Sequence, residues 1–178
     1  MIVAAALAGC APAVVTGPPR ATPGEVTDLA RAIGALGPGV DPAEARHMAL
    51  IAQDYPLELA RAYGITDHPV VHNMKVNAGL RERGLCKDWA DDLEARLTAE
   101  GFATLVLHRA IANADTWRLE HSTVVVSAPG QTMEDGIVLD PWRHGGDLFW
   151  SPMRSDPRYD WWPRERAFAY HRARDARG

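Results

Sequence analysis

The chain has only two cysteines in 178 residues, Cys10 and Cys86. No Cys-x-x-Cys occurs, which excludes a dithiol that cycles within one loop, and no close-spaced run of Cys and His marks a zinc site. A set assembled from His108, His121, His144 and Asp140 has no paired ligand motif behind it, so neither metal nor other cofactor is expected. Positive charge is not in excess either. There are 19 Lys and Arg against 23 Asp and Glu, and the Arg-rich end (Arg164, Arg166, Arg172, Arg174, Arg177) is interrupted by Glu165 and Asp175. A polyanion partner such as nucleic acid is therefore not expected. The sequence also lacks an internal repeat and, past its first ten residues, any apolar run long enough to cross a membrane.

What is present suffices for one ordinary domain: 47% of the residues are apolar, enough for a real core and too little for two. Residues 1–10 are apolar and signal-like, and residues 11–24 hold four prolines and two glycines and read as a flexible tether. Residues 25–178 are expected to form the domain. The first segment ends in Leu7-Ala8-Gly9-Cys10, which resembles the bacterial lipobox, although no Lys or Arg precedes the run. That resemblance implies acylation of Cys10 and a membrane-anchored lipoprotein facing the periplasm or the cell exterior. In an oxidising compartment a Cys10–Cys86 disulfide is the alternative. With Cys10 lipidated, Cys86 is the lone free thiol, which in an exported protein points to catalysis.

Local patterns give the elements. Residues 25–36 read as a short helix. Asp41-Pro42-Ala43-Glu44 is a strong helix start, with Asp41 as N-cap and Pro42 in the first turn, and that helix is expected to run to about Tyr55. Leu57–Tyr63 is helical in spacing up to Gly64, and His68–Leu80 follows with Val71, Met74 and Ala78 at helical intervals. Cys86 opens the next helix, where Trp89, Leu93 and Leu97 recur every fourth residue and should face the core, ending near Gly101. The period then turns extended: Phe102–Ile111, His121–Ala128 and Gly136–Asp140 are expected to be antiparallel strands, the last two a hairpin. The Trp-rich remainder (Trp142, Trp150, Trp161, Trp162) has no clear period and reads as irregular structure closing one side of the sheet.

Three residues in these elements carry chemistry. A thiol attacks a carbonyl only as thiolate, and an ordinary thiol, with a pKa of about 8.5, is mostly protonated near neutrality. Cys86 at a helix start gains the positive end of the helix dipole, and its N–H is a candidate oxyanion donor. Gly84 leaves room for a tight turn and for substrate. His121, opening a strand on the face shared with Thr123 and Val125, can take the thiol proton and return it to a leaving group if that face meets the Cys86 helix. Asp140 is placed to fix the imidazole through its other nitrogen. Asn77 is a candidate second oxyanion donor and Trp89 a candidate substrate contact.

The segments Gly84-Leu85-Cys86-Lys87-Asp88-Trp89-Ala90, Glu120-His121-Ser122 and Leu139-Asp140-Pro141 stand in the order and at the spacing of the transglutaminase-like superfamily. The resemblance covers about residues 75–145, with Ser122 standing where that superfamily usually has an aromatic residue. It implies an α+β fold, with N-terminal helices and a Cys-bearing helix packed on a small antiparallel sheet, and a Cys-His-Asp catalytic triad. The implied activity is amide or peptide hydrolysis, or acyl transfer, through an acyl-thioester on Cys86, with a peptide or protein of the cell envelope as substrate. The rival expectation is a non-catalytic envelope-binding module that keeps the fold.

Overall fold

The computed structural model describes residues 20–116 and 118–177, so Cys10, its signal-like segment and most of the tether lie outside the described residues. The fold is mixed α+β. Among the described residues the α-helices are α1 (Pro23–Gly34), α2 (Pro42–Ala62), α3 (Pro69–Asn77), α4 (Cys86–Thr98) and α5 (Arg164–Asp175). The strands are β1 (Val106–Ala112), β2 (His121–Ser127), β3 (Ile137–His144), β4 (Asp147–Pro152) and β5 (Trp161–Pro163). They form one antiparallel sheet in the order β4-β3-β2-β1-β5. Among the described residues no helix is long and apolar enough to cross a membrane.

Helix starts follow from their caps. Thr22 and Glu25 make a reciprocal capping box and Pro23 occupies the first turn, so α1 begins inside the segment that the sequence assigns to the tether. Asp41 Oδ1 accepts from the Ala43 N–H at 2.6 Å, opening α2 at the expected place. α2 does not stop near Tyr55. It continues through Pro56 to Ala62, absorbing the segment expected to be separate. Pro56 removes one backbone bond, but Met48, Ala49 and Ala52 before it and Leu59 and Ala60 after it are all buried, and this packing outweighs the local penalty.

α4 buries Trp89, Leu93 and Leu97 as their spacing predicts. α3 is helical as expected, but Val71 and Met74 point outward, 43% and 66% exposed, while His72 and Asn73 are buried. The C-terminal part is not irregular: it supplies β4, β5 and α5. α5 buries only Ala167, so no apolar stripe announces it.

The two faces of the sheet are covered differently. Val124 and Val126 of β2 and Ile137 and Leu139 of β3 pack on α1, α2 and α4 in the main core. Val125 and Val138, on the opposite face, pack with Ala110, Ala112, Met133, Met153 and Trp161. Pro141 lies in β3 where its pairing with β4 shifts register between Asp140 and His144, a position at which a missing N–H is tolerated.

Candidate active site

The turn before α4 is locked from several sides. Gly84 has φ of 121°, and a Cβ there would lie 2.4 Å from His72 Nε2, so only glycine fits without rearrangement. His72 Nε2–H donates to the Arg83 carbonyl at 2.9 Å. The N–H groups of Gly84 and Leu85 both donate to Asp88 Oδ2 at 2.9 Å, and Trp89 Nε1–H donates to the Gly84 carbonyl at 3.1 Å. Trp89 is 1% exposed with its one donor engaged, which removes it as a substrate contact and makes it a brace for the turn.

Cys86 is thereby fixed as the first residue of α4, partly exposed and free. Leu85, its N-cap, has no polar side chain to offer, and the capping carboxylate of Asp88 is taken by the two preceding N–H groups. The Cys86 N–H has no intrahelical partner, as at any first turn.

His121 and Asp140 meet in the interior. Nε2 of His121 lies 2.6 Å from Asp140 Oδ2, with the two side chains 3% and 0% exposed. The other ring nitrogen, Nδ1, is buried with no partner among the described residues. Burial, the largest single influence, pushes the imidazole pKa down; the charge and hydrogen bond of Asp140, joined by Cys86, outweigh it and hold the pKa up at about 9. The ring is walled by Trp142, Tyr159 and Trp161, at centroid distances of 4.7, 4.8 and 5.4 Å.

A second ion pair, not evident in the sequence, stands behind the first. Arg143 Nε–H donates to Asp140 Oδ2 at 3.0 Å, and its terminal nitrogens donate to both Asp156 oxygens at 3.1 and 2.8 Å. Trp161 Nε1–H donates to Asp156 at 2.9 Å. With His121 protonated the charges alternate along the row His121, Asp140, Arg143, Asp156 and sum to zero. Such alternation is what permits carboxylates at this depth.

His121 does lie on the sheet face of Thr123 and Val125, but that face is not the one on which α4 packs. α4 lies on the face of Val124 and Val126. Its first residue reaches the end of β2, where Cys86 Sγ donates to the Glu120 carbonyl at 3.7 Å, next to His121. Thiol and imidazole therefore meet around the end of a strand rather than across a shared face. Alternation alone cannot reveal this, because Val124, Val125 and Val126 are all fully buried.

A cleft of about 490 Å³ opens there, lined on the α4 side by Leu85, Cys86, Lys87 and Asp91 and closed by Leu119, His121 and Phe168. Asn77 lines it as expected of a candidate, yet is exposed at the last turn of α3; Asn73, one turn earlier, lines it too and is buried. Arg109, also on the wall, is 4% exposed and ties β1 to α4 through Asp91 at 2.8 Å and Glu94 at 2.9 Å. Among the described residues no cluster of three His, Cys, Asp or Glu side chains is arranged to hold a metal ion. His108, considered for such a set, lies 2.8 Å from Ser127 Oγ instead. Comparisons of the chain with protein-family models, curated proteins and solved structures found no match.

Proposed function

We propose that this protein is a cysteine-dependent acyl-transfer enzyme of transglutaminase-like type, a hydrolase or transamidase acting on amide or peptide bonds. The observation that carries the reading is the buried His121–Asp140 pair at 2.6 Å, with its free Nδ1 beside a partly exposed thiol at a helix start. An imidazole pKa held near 9 keeps the ring protonated at neutral pH, the form that pairs with a thiolate.

The steps follow from that pairing. Sγ attacks the substrate carbonyl carbon, forming an S–C bond while the C=O electrons move onto oxygen. The Cys86 N–H, at the positive end of α4, stabilises that oxyanion. The imidazolium then gives its proton to the departing amine as the C–N bond breaks, leaving an acyl-thioester on Cys86. Neutral His121 next takes a proton from water or an incoming amine as its oxygen or nitrogen bonds to the acyl carbon; the C–S bond breaks, the acid or new amide departs, and the thiolate and imidazolium are restored. Asp140 orients the ring throughout and stabilises its cationic form, and Arg143 holds Asp140 in place.

The open cleft, mixing apolar Leu85, Ile111, Leu119 and Phe168 with charged Lys87, Asp91 and Glu120, suits an extended peptide segment. An envelope setting, with membrane attachment through Cys10, rests on the sequence Leu7-Ala8-Gly9-Cys10 alone.

The test is acylation. Incubated with p-nitrophenyl acetate, the full chain is expected to release a burst of p-nitrophenolate and to carry one acetyl group on the Cys86 peptide in mass spectra. Cys86→Ala abolishes both, and His121→Ala slows the burst at least a hundredfold. A wild-type chain whose folded state takes no acetyl group on Cys86 would overturn the reading in favour of a binding module.

A further inference from the structure

Asn73 is 6% exposed, lies on α3 and lines the same cleft as Cys86. Its Oδ1 accepts from Trp142 Nε1–H at 3.1 Å, a bond between two buried side chains. An indole N–H can only donate, so this contact fixes which end of the amide is which: oxygen to Trp142, and the Nδ2 donor left over. No described residue accepts from Nδ2. Trp142 also belongs to the buried cluster against which Cys86 packs, and its ring lies 4.7 Å from that of His121, so the anchor of the amide belongs to the wall around the reacting groups. The preceding residue, His72, braces the turn before Cys86. One helix thus braces the turn before Cys86 and carries a pre-oriented donor in the wall of the same cleft.

We infer that Asn73 Nδ2–H is the second donor of the oxyanion hole, working with the Cys86 N–H. This inference rests on the acyl-transfer reading of the site. The amide is held before substrate arrives, so it costs no reorganisation when charge develops on the carbonyl oxygen. Asn77, the candidate the sequence offers, makes no such bond among the described residues and lies at the exposed end of α3.

The two reactions of a thiolate separate this role from a structural one. Acylation by p-nitrophenyl acetate passes through an oxyanion; alkylation by iodoacetamide displaces iodide at a saturated carbon and does not. In the full chain, Asn73→Ala is expected to slow the acylation burst by about 10²-fold while Cys86 alkylation, followed by peptide mass spectrometry, stays within threefold of wild type. Trp142→Phe keeps a ring against His121 and frees the amide, and is expected to slow acylation about tenfold with alkylation likewise preserved; it carries the test if Asn73→Ala does not fold. Acylation unchanged in both variants would overturn the assignment, and so would acylation and alkylation falling together, the mark of a bracing role. A wild-type chain that alkylates but never acylates would instead remove the acyl-transfer reading itself.

Discussion

At the scale of single residues, the site is governed by the imidazole of His121 and what faces it. Its folded pKa of about 9 is raised above the ordinary value of about 6.5. The charged ring therefore contributes stability that is fully present below about pH 6.5 and is lost as pH rises through about 9. In a Cys86→Ala background, where Asp140 holds the imidazole pKa up without the help of Cys86, urea denaturation is expected to show stability falling as pH rises from about 6 to about 9.5. Adding Asp140→Asn keeps the shape but removes the charge that holds the proton, and should flatten that dependence. Equal slopes in the two proteins would mean that Asp140 does not set the protonation of His121. Arg143 stays paired with Asp156 in this variant, so the carboxamide does not leave a cation bare in the interior. Cys86, His121 and Asp140 could be singled out in the sequence because reactive residue types mark themselves, and the structure brings His121 to Asp140 and Cys86 to the start of β2. Arg143, Asp156 and Asn73 could not be, because a buried arginine or asparagine looks in sequence like a surface one.

At the scale of elements, Cys86 is positioned by the contact between α3 and the turn entering α4. Gly84→Ala puts a methyl group against the His72 ring at a positive φ. The combined strain and overpacking should cost about 2–5 kcal/mol, read as a lower urea midpoint, and should slow Cys86 alkylation as the turn shifts. An alanine variant as stable as wild type would show that the turn is looser than the contact distances indicate. The same scale explains which elements could be read in advance. Asp41-Pro42 and the Trp89, Leu93, Leu97 stripe are local signals, and they marked α2 and α4 where they occur. The passage of α2 through Pro56 is decided by packing on both sides of the proline, and β5 and α5 by docking against β1. Nothing within a few residues encodes those outcomes. The three valines of β2 are a related case: a strand buried on both faces hides which face its histidine shares with a partner.

At the scale of the whole molecule, the sheet divides two tasks. The face toward α1, α2 and α4 holds most of the apolar core and fixes α4, while the opposite face holds the row of alternating charges that ends in His121. Cys86 comes close to His121 where α4 reaches the end of β2, beside the cleft. On the proposed acyl-transfer reading, activation of the thiol is a property of the assembled fold. It should vanish when the chain is unfolded in urea and depend on His121 when it is folded. The most direct measurement is the rate of iodoacetamide labelling at Cys86 in the full chain, followed by peptide mass spectrometry from pH 5 to pH 9, for wild type and His121→Ala. Rapid labelling already at pH 6.5 that falls at least tenfold in the variant is the predicted result. Labelling that rises only above pH 8, identically in both proteins, would contradict an activated Cys86–His121 pair.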